Sequence, residues 1–312
     1  MAALDLGTNN CRLLIASPSR EGAIRIVASF SRIVRLGEGV ARTGVLSEAA
    51  MDRTVAALKV CAEYMERHAV RHVRAIATEA CRQAANTQLL IDRAAREAGI
   101  TLTVVTAAEE ARLAAIGCAP LIGGDYDGAL VFDIGGGSTE TIWLRQEDGK
   151  ASLAHFASIS LGVMSLAEAN GGDVGRYAVM RDAMLERFVD IRREMDRKAL
   201  FDPRRHHLLG TSGTVTTLAG IALKLRRYVR ARVDGSWHSC ADILKVIDEL
   251  VALDRRSRAA LGCVGEERAD LIIPGCAIFS AIQTVWPCDR LRVADRGLRE
   301  GILRELVAEV RI

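Results

Sequence analysis

The chain has 312 residues, of which 50% are hydrophobic and 26% are charged. That length predicts two domains or one large α/β domain, able to bury about 75% of the surface of the unfolded chain. A net charge of +3 and an aromatic content of 4% argue against nucleic-acid binding. No apolar run reaches the ~18 residues of a membrane-spanning helix, and the N-terminus lacks a signal-peptide pattern. The sequence therefore predicts a cytoplasmic protein whose partners include neither membrane nor nucleic acid.

The first part of the chain alternates short β-rich runs with helical stretches, which predicts an α/β fold. Strands are predicted over residues 2–6, 13–17, 24–30, 72–78 and 101–106. Ser47 and Asn86 are predicted to cap two helices, the second of which stops at Gly99. A third helix is predicted over residues 107–119.

The segment Pro120-Leu-Ile-Gly-Gly-Asp-Tyr-Asp-Gly128 interrupts this pattern and predicts a domain boundary. After it the plan restarts, with strands predicted over residues 129–133, 140–144, 152–158 and 207–211. A mostly helical stretch is predicted over 173–200, a helix over 215–224, and further helices to the end. We therefore predict a first domain over 1–121, with a final helix at about 298–312 packing back on it, and a second over 122–297 with helical additions.

The restart is visible in the residues themselves. Asp5-Leu-Gly-Thr-Asn9 corresponds to Asp133-Ile-Gly-Gly-Gly137, 128 positions later. At a similar spacing, Ala75-Ile-Ala-Thr78 corresponds to Leu208-Leu-Gly-Thr211. Two correspondences near one offset predict a duplicated domain.

Each repeated loop has an aspartate at the end of a strand, followed by glycine. Glycine allows a tight bend that brings main-chain N–H groups against an anion, and the carboxylate can hold a hydrated divalent cation beside it. Either loop alone could be a simple tight hairpin, but the recurrence at matching positions favours a phosphate site. Thr211-Ser-Gly-Thr214 lies before a predicted helix and suits an anion, although a simple N-cap has the same residues.

Charged residues in two predicted helices leave alternatives open. Glu109 and Glu110 face different directions, so only one of them can point towards a ligand. The alternative is that both are there only because the helix dipole favours acidic residues in a first turn. Arg82 could bind phosphate through its guanidinium fork, or it could be solvated.

Other catalytic and metal-binding patterns are absent from the sequence. Gly149-Lys150 is followed by Ala151, so there is no P-loop, and no G-x-G-x-x-G, G-x-S-x-G or H-E-x-x-H occurs. The eight cysteines are scattered with no C-x-x-C pair, which predicts reduced thiols.

Seven segments occur in an order that resembles the exopolyphosphatase and guanosine pentaphosphate phosphatase family (Ppx/GppA), in its short two-domain form, over nearly the whole chain. They are Asp5-Leu-Gly-Thr-Asn9, Ala77-Thr-Glu-Ala-Cys-Arg82, Glu109-Glu-Ala-Arg-Leu113, Asp133-Ile-Gly-Gly-Gly-Ser-Thr-Glu140, Gly210-Thr-Ser-Gly-Thr214, Glu267-Arg-Ala-Asp-Leu-Ile-Ile-Pro-Gly275 and Gly297-Leu-Arg-Glu-Gly301. The resemblance implies a duplicated α/β fold of two ribonuclease-H-like domains of the actin-like ATPase and sugar-kinase superfold, with an interdomain cleft. It also implies hydrolysis of the terminal phosphate of inorganic polyphosphate or guanosine pentaphosphate, with Mg²⁺ or another divalent cation.

The resemblance also assigns roles to individual residues. It implies that Glu110 is the general base that activates water and that Asp133, Glu140 and Asp5 are associated with the metal. The residues implied or predicted to bind phosphate are Gly7, Thr8, Asn9, Arg82, Gly135, Gly136, Gly137, Ser138, Thr211, Ser212, Gly213 and Thr214.

Two departures from the family pattern and several alternatives accompany this interpretation. The C-terminal helical extension of long family members is missing, and the first loop has Thr8-Asn9-Asn10 where many relatives have serine at the first and last positions. A pentaphosphate-selective guanosine phosphatase, a small-molecule kinase and a nucleotide-gated interaction module on the same superfold are the alternative functions. The sequence leaves a homodimer open.

Overall fold

The computed structural model describes residues 1–18, 24–170, 174–198 and 200–310. The chain forms two compact units, one of Met1–Gly117 with Gly297–Ile312 and the other of Cys118–Arg296. The boundary predicted after residue 121 thus lies four positions beyond the division at Gly117. Within the described ranges, no helix has the length and hydropathy that crossing a membrane requires.

The first unit is built on a mixed sheet. The strands and helices of its N-terminal part are β1 (Ala2–Leu6), β2 (Asn10–Pro18), β3 (Ile24–Ile33), α1 (Val40–Thr43), α2 (Glu48–Arg67), β4 (Val73–Ala77), α3 (Glu79–Gln83), α4 (Thr87–Ala98), β5 (Thr103–Val104) and α5 (Ala107–Cys118). The order in the sheet is β3-β2-β1-β4-β5. Strands β1 to β3 form an antiparallel meander. Strand β4 pairs in parallel with β1, and β5 pairs in parallel with β4.

The second unit is built on a larger mixed sheet. Its strands and helices are β6 (Gly128–Ile134), β7 (Thr139–Glu147), β8 (Lys150–Ile159), α6 (Val163–Asn170), α7 (Tyr177–Arg197), β9 (His206–Thr211), α8 (Ser212–Ala222), α9 (Arg230–Val233), β10 (Trp237–Ser239), α10 (Cys240–Ala252), α11 (Arg255–Ala260), α12 (Ile272–Val285) and β11 (Arg290–Ala294). The order is β10-β11-β9-β6-β7-β8.

The two sheets follow the same plan, which confirms the predicted duplication. In the second unit β6 to β8 form the antiparallel meander. Strand β9 pairs in parallel with β6, and β11 pairs in parallel with β9. The extra strand β10 pairs antiparallel with β11 at the edge. The fold class is therefore the predicted one, α/β with two units whose mixed sheets have the ribonuclease-H-like strand order.

The last helix, α13 (Leu298–Val310), belongs to the first unit. Alternation along β1 sends Leu4 to a core shared with α2 and α4, and sends Ala3 to the opposite face. On that opposite face Ile302 and Leu303 of α13 are completely buried. A Cβ at Gly301 would lie 2.0 Å from the carbonyl oxygen of Leu113, so glycine permits close approach of α13 to α5.

Local predictions were correct at some element ends and wrong at others. Ser47 Oγ accepts the Ala50 N–H and caps α2, and α4 ends at Gly99 with φ +66°, as predicted. The Asn86 cap is wrong, because its side chain exchanges two hydrogen bonds with the Leu46 main chain instead.

The C-terminal half holds the larger errors. The expectation of helices alone after residue 211 is wrong, because β10 and β11 lie there. The helix predicted from residue 215 begins at Ser212, and that predicted over 173–200 is observed as α7, Tyr177–Arg197. Residues 173 and 199 lie outside the described ranges.

Candidate active site

The two predicted phosphate loops have the same main-chain geometry. In the first loop the Gly7 N–H donates to the Asn10 carbonyl at 2.9 Å, and in the second the Gly135 N–H donates to the Ser138 carbonyl at 2.9 Å. A Cβ at Gly135 would lie 2.8 Å from that carbonyl oxygen, closer than side chains allow. The loop residues matched in sequence are therefore also matched in hydrogen bonding.

A second segment in each unit binds the carbonyl oxygens of the loop. Val34 and Arg35 N–H donate to Asn9 O at 2.8 and 3.0 Å, and Gly37 N–H donates to Thr8 O at 2.9 Å. In the second unit Val163 N–H donates to Gly135 O at 3.0 Å, and Met164 N–H donates to Gly136 O at 2.8 Å. Main-chain donors thus satisfy these carbonyls, which removes partial negative charge that would oppose an anion.

Sequence reasoning missed the glycines that allow this contact. A Cβ at Gly37 would lie 2.2 Å from Thr8 Cγ2, and one at Gly162 would lie 2.5 Å from Gly135 O and Gly136 C. Each follows a leucine, Leu36 or Leu161, so a repeated Leu-Gly pair was the available signal. Both glycines allow close packing against a predicted phosphate loop.

Buried polar atoms without a protein partner mark these loops. Thr8 Oγ1, Asn9 Oδ1 and Ser212 Oγ are buried and have no hydrogen-bond partner in the part of the chain that the structure describes. Thr8 is only 6% exposed. Because a buried polar group without a partner is costly, these atoms indicate a polar ligand.

Asp133 and Glu140 lie directly opposite each other on β6 and β7, and Asp133 also pairs with Thr211 of β9. Glu140 is 3% exposed, and Ser158 Oγ donates to its Oε1 at 2.8 Å. Carboxylates opposite one another repel, and a shared cation offsets that repulsion. The pair therefore fits the predicted divalent cation.

The described residues offer no larger cluster of metal-binding side chains. Among residues 1–18, 24–170, 174–198 and 200–310, no group of three or more histidine, cysteine, aspartate and glutamate side chains could hold a metal ion. Mg²⁺ commonly takes one or two protein carboxylates and completes its shell with water and phosphate oxygens. Two carboxylates are therefore consistent with Mg²⁺ held partly by a phosphorylated substrate.

Asp5, the third predicted metal-associated residue, has different surroundings. Its partner across the β1–β2 ladder is Arg12, at the position that corresponds to Glu140 in the second unit. Burial raises the pKa of Asp5 above its ordinary value, Arg12 and Arg299 act to lower it, and Glu300 acts to raise it. Asp5 thus has a basic residue opposite it where Asp133 has a second carboxylate, so Asp5 fits a metal less well than the Asp133–Glu140 pair.

Arg82 binds the predicted general base. Its Nη1 donates to Glu110 Oε2 at 2.7 Å and to Val105 O at 3.0 Å, while its Nε and Nη2 donate to Glu79 Oε2 at 2.9 and 2.6 Å. Burial alone would lower the pKa of Arg82, but the Glu110 and Glu79 carboxylates raise it above the ordinary value. Arg82 therefore fixes the Glu110 side chain, and Glu79, which sequence reasoning missed, fixes Arg82.

Glu109 lies in a separate ion-pair cluster. Arg112 Nε and Nη2 each donate to a Glu109 carboxylate oxygen at 2.8 Å, and this hydrogen bonding lowers the pKa of Glu109. Arg112 also donates to Glu305 of α13 at 2.5 Å. The adjacent glutamates thus have different partners, as their helical phase predicts.

The four residues Thr211 to Thr214 do not present equivalent side chains. Thr211 Oγ1 donates to the Arg296 carbonyl at 3.0 Å, and Thr214 packs so closely on α12 that a Cβ at Gly275 would lie 2.4 Å from its Oγ1. Ser212 has φ +100°, a strained conformation for a residue with a side chain. Its unpartnered hydroxyl makes Ser212 the strongest side-chain candidate of the four.

Comparisons with known proteins agree along the whole chain. Residues 15–309 match the model of the Ppx/GppA phosphatase family. The chain is 30% identical to Exopolyphosphatase 2 of Mycobacterium tuberculosis, over 98% of each chain.

Solved structures give the same result. The crystal structure of the Aquifex aeolicus Ppx/GppA family member matches with a TM-score of 0.81 and 28% identity, over 100% of this chain and 98% of that one. An exopolyphosphatase from Cytophaga hutchinsonii matches with a TM-score of 0.87 and 27% identity, over 99% and 97%. The full-length sequence match and the shared fold lead to one conclusion: this chain belongs to the Ppx/GppA phosphatase family.

Proposed function

We propose that this protein is an exopolyphosphatase that hydrolyses the terminal phosphoanhydride bond of inorganic polyphosphate with Mg²⁺ as the divalent cation. The observation that carries the proposal is the duplicated loop, in which a strand-end aspartate precedes a glycine turn braced by main-chain donors. The relatives named as exopolyphosphatases support the same substrate.

In the first unit, Glu110 acts as general base and orients the attacking water. Water oxygen bonds to the terminal phosphorus, the phosphoanhydride P–O bond breaks, and the proton from water passes to Glu110. The shortened polyphosphate leaves with the electron pair of the broken bond. Arg82 holds Glu110 in place through the 2.7 Å ion pair and adds positive charge near the phosphate.

Also in the first unit, the loop of Gly7, Thr8 and Asn9 binds phosphate oxygens. The Thr8 hydroxyl is the side-chain donor that the fold leaves buried without a protein partner. Donors held in place before substrate arrives stabilise the transition-state charge without reorganisation.

In the second unit, main-chain N–H groups of Gly135, Gly136, Gly137 and Ser138 bind phosphate, joined by the Ser212 hydroxyl. Thr211, Gly213 and Thr214 contribute through the main chain at the start of α8, where the helix dipole favours an anion. Asp133 and Glu140 hold the cation, with Asp5 a weaker candidate. Bound Mg²⁺ supplies neutralisation of the crowded phosphate charge.

A side-by-side turnover assay tests the proposal. Polyphosphates of several lengths, guanosine pentaphosphate and ATP are each incubated with the protein, in Mg²⁺ and in chelator, without a phosphate acceptor. We expect orthophosphate release from polyphosphate that requires the cation. Transfer of the phosphoryl group to an added acceptor, with no orthophosphate released, would indicate a kinase, and turnover of guanosine pentaphosphate alone would indicate the guanosine phosphatase.

A further inference from the structure

A short segment of the second unit carries a high density of positive charge. Five of the nine residues from 224 to 232 are basic, and none is acidic. These are Lys224, Arg226, Arg227, Arg230 and Arg232, which we call the basic strip. The segment joins α8 to α9 and was not part of any predicted site.

Most of the basic strip is exposed and available to a ligand. Lys224, Arg226, Arg227 and Arg232 are exposed, and none of them forms an ion pair with an acid in the described ranges. Other arginines of this unit find acids, as Arg255 does with Asp270 and Glu266, both at 2.6 Å. Within the described ranges, the charge of these four residues is therefore not offset by an ion pair, whereas Arg230 pairs with Asp295.

The main chain of the basic strip is braced by its neighbours. A Cβ at Gly262 would lie 1.9 Å from Arg226 O, and Cys263 Sγ donates to Leu225 O at 3.4 Å. Tyr228 Oη donates to Asp295 Oδ2 at 2.5 Å, and Arg230 Nη2 donates to Asp295 O at 2.6 Å. A fixed main chain reduces the entropy lost when a ligand binds.

These anchors connect the basic strip to the sheet edge that carries the second phosphate loop. Asp295 directly follows β11, whose last residue Ala294 pairs with Thr211 of β9. Thr211 pairs in turn with Asp133 of β6. Because these three strands are parallel, their carboxyl ends share one edge, and the strip is attached at that edge.

A purely structural explanation accounts for only part of this charge. A cation just after the last turn of α8 interacts favourably with the helix dipole, which explains Lys224. Arg232 lies in the last turn of α9 and has the same explanation, but Arg226 and Arg227 lie between the two helices, beyond the reach of the α8 dipole.

We propose that the basic strip binds phosphates of the polyphosphate chain distal to the one being hydrolysed. This rests on the proposed function and extends it to chain length. Each exposed cation contributes weakly, but a polyanion that contacts several of them binds more tightly than a substrate too short to reach them. Guanidinium groups suit this ligand because their planar forks match phosphate oxygens.

The test compares two charge-matched double variants. Arg226→Gln/Arg227→Gln removes two charges from the strip. The control, Arg193→Gln/Arg197→Gln, removes two charges from exposed arginines in the last turns of α7. Helix α7 leads into the start of β9, whereas the strip is attached at the edge where β9 ends. KM and kcat are measured for long-chain polyphosphate and for tripolyphosphate, at low and at moderate salt.

We expect the strip variant to raise KM for the long chain by about three- to tenfold, with a weaker salt dependence. Its kcat and its KM for tripolyphosphate should stay within about twofold of wild type, as should both constants of the α7 variant. An unchanged ratio of long-chain to short-chain KM in the strip variant would overturn the proposal. Absence of turnover by the wild-type protein would instead refute the proposed function itself.

Discussion

Glu110 is the residue whose chemistry the proposed reaction depends on most. Its side chain is 16% exposed and its carboxylate is held by Arg82, which suits a group that must orient one water molecule. Glu110→Gln keeps the size of the side chain but cannot accept a proton. We expect turnover to fall about 10²- to 10⁴-fold, while polyphosphate still binds, when single-turnover rates and binding are measured together.

Glu109→Gln is the matched control for this change. Glu109 is adjacent, has the same side chain, and forms its ion pair with Arg112. We expect its turnover to remain within about threefold of wild type, because an exposed ion pair contributes at most about 1 kcal/mol. Equal losses in the two variants would show that Glu110 is not the base.

Asp133 offers a separate test, of the cation. Asp133→Asn removes one of the two carboxylates that face each other across the β6–β7 ladder. We expect the Mg²⁺ concentration for half-maximal activity to rise about tenfold or more, since removing a metal-associated group commonly costs 10- to 100-fold in affinity. An Mg²⁺ titration of activity measures this, with Asp127→Asn as a carboxylate control outside the pair. An unchanged titration of Asp133→Asn would remove this residue from the metal site.

The sequence identified the candidate groups but not their supports. Asp133 was recognisable because a repeated motif carries it, and Glu140 because the family resemblance implies its role. Glu79 was not, because an i,i+3 pair with Arg82 and a glutamate in a first turn both have ordinary helical explanations. The unpartnered state of Thr8 and Ser212 is likewise a tertiary property with no pattern in sequence.

At the scale of elements, prediction worked where a run was long enough to show its period. Strand β1 was predicted with its exact limits, and β6 to β9 to within a few residues. Strand β10 has three residues, too few to show alternation. Strand β11, Arg-Leu-Arg-Val-Ala, begins with alternating charged and apolar residues, a β-type pattern that the expectation of helices overlooked.

Replacing Gly162, just before α6, by alanine tests whether its close contact with the second loop is needed for turnover. The Cβ of Gly162→Ala would lie 2.5 Å from main-chain atoms of Gly135 and Gly136, so the loop must move. We expect turnover to fall about 10²-fold with the fold retained, because a displacement of about 1 Å in a reacting group can cost that much. Steady-state turnover and circular dichroism together measure both effects.

Gly124→Ala serves as the control for this substitution. Its added Cβ would meet no atom within 4 Å, so activity should not change. Wild-type turnover by Gly162→Ala would show that the position of the loop does not limit the reaction.

At the scale of the whole chain, one plan occurs twice and its charges have diverged. The strand-end aspartates Asp5 and Asp133 correspond, but the residue across the ladder is Arg12 in one unit and Glu140 in the other. Asp5 therefore has a basic residue across the ladder and Asp133 an acidic one. The two loops share their main-chain hydrogen bonding but differ in the charge beside the aspartate.

The first unit is also discontinuous in sequence, and this gives a final prediction. Helix α13 contributes Leu298, Ile302, Leu303 and Leu306 to a core with β1, β2 and α5. At about 1.5–3 kcal/mol for each buried side chain, they contribute about 6–12 kcal/mol, which is comparable with the whole stability of a domain. Deleting residues 298–312 should therefore prevent stable folding of the first unit, with loss of cooperative thermal unfolding and rapid proteolysis within residues 24–117. Glu309→Gln, which removes only the partly exposed ion pair with Arg74, should change stability by less than about 1 kcal/mol. A truncated chain that unfolds at the wild-type Tm would show that α13 is not part of this core.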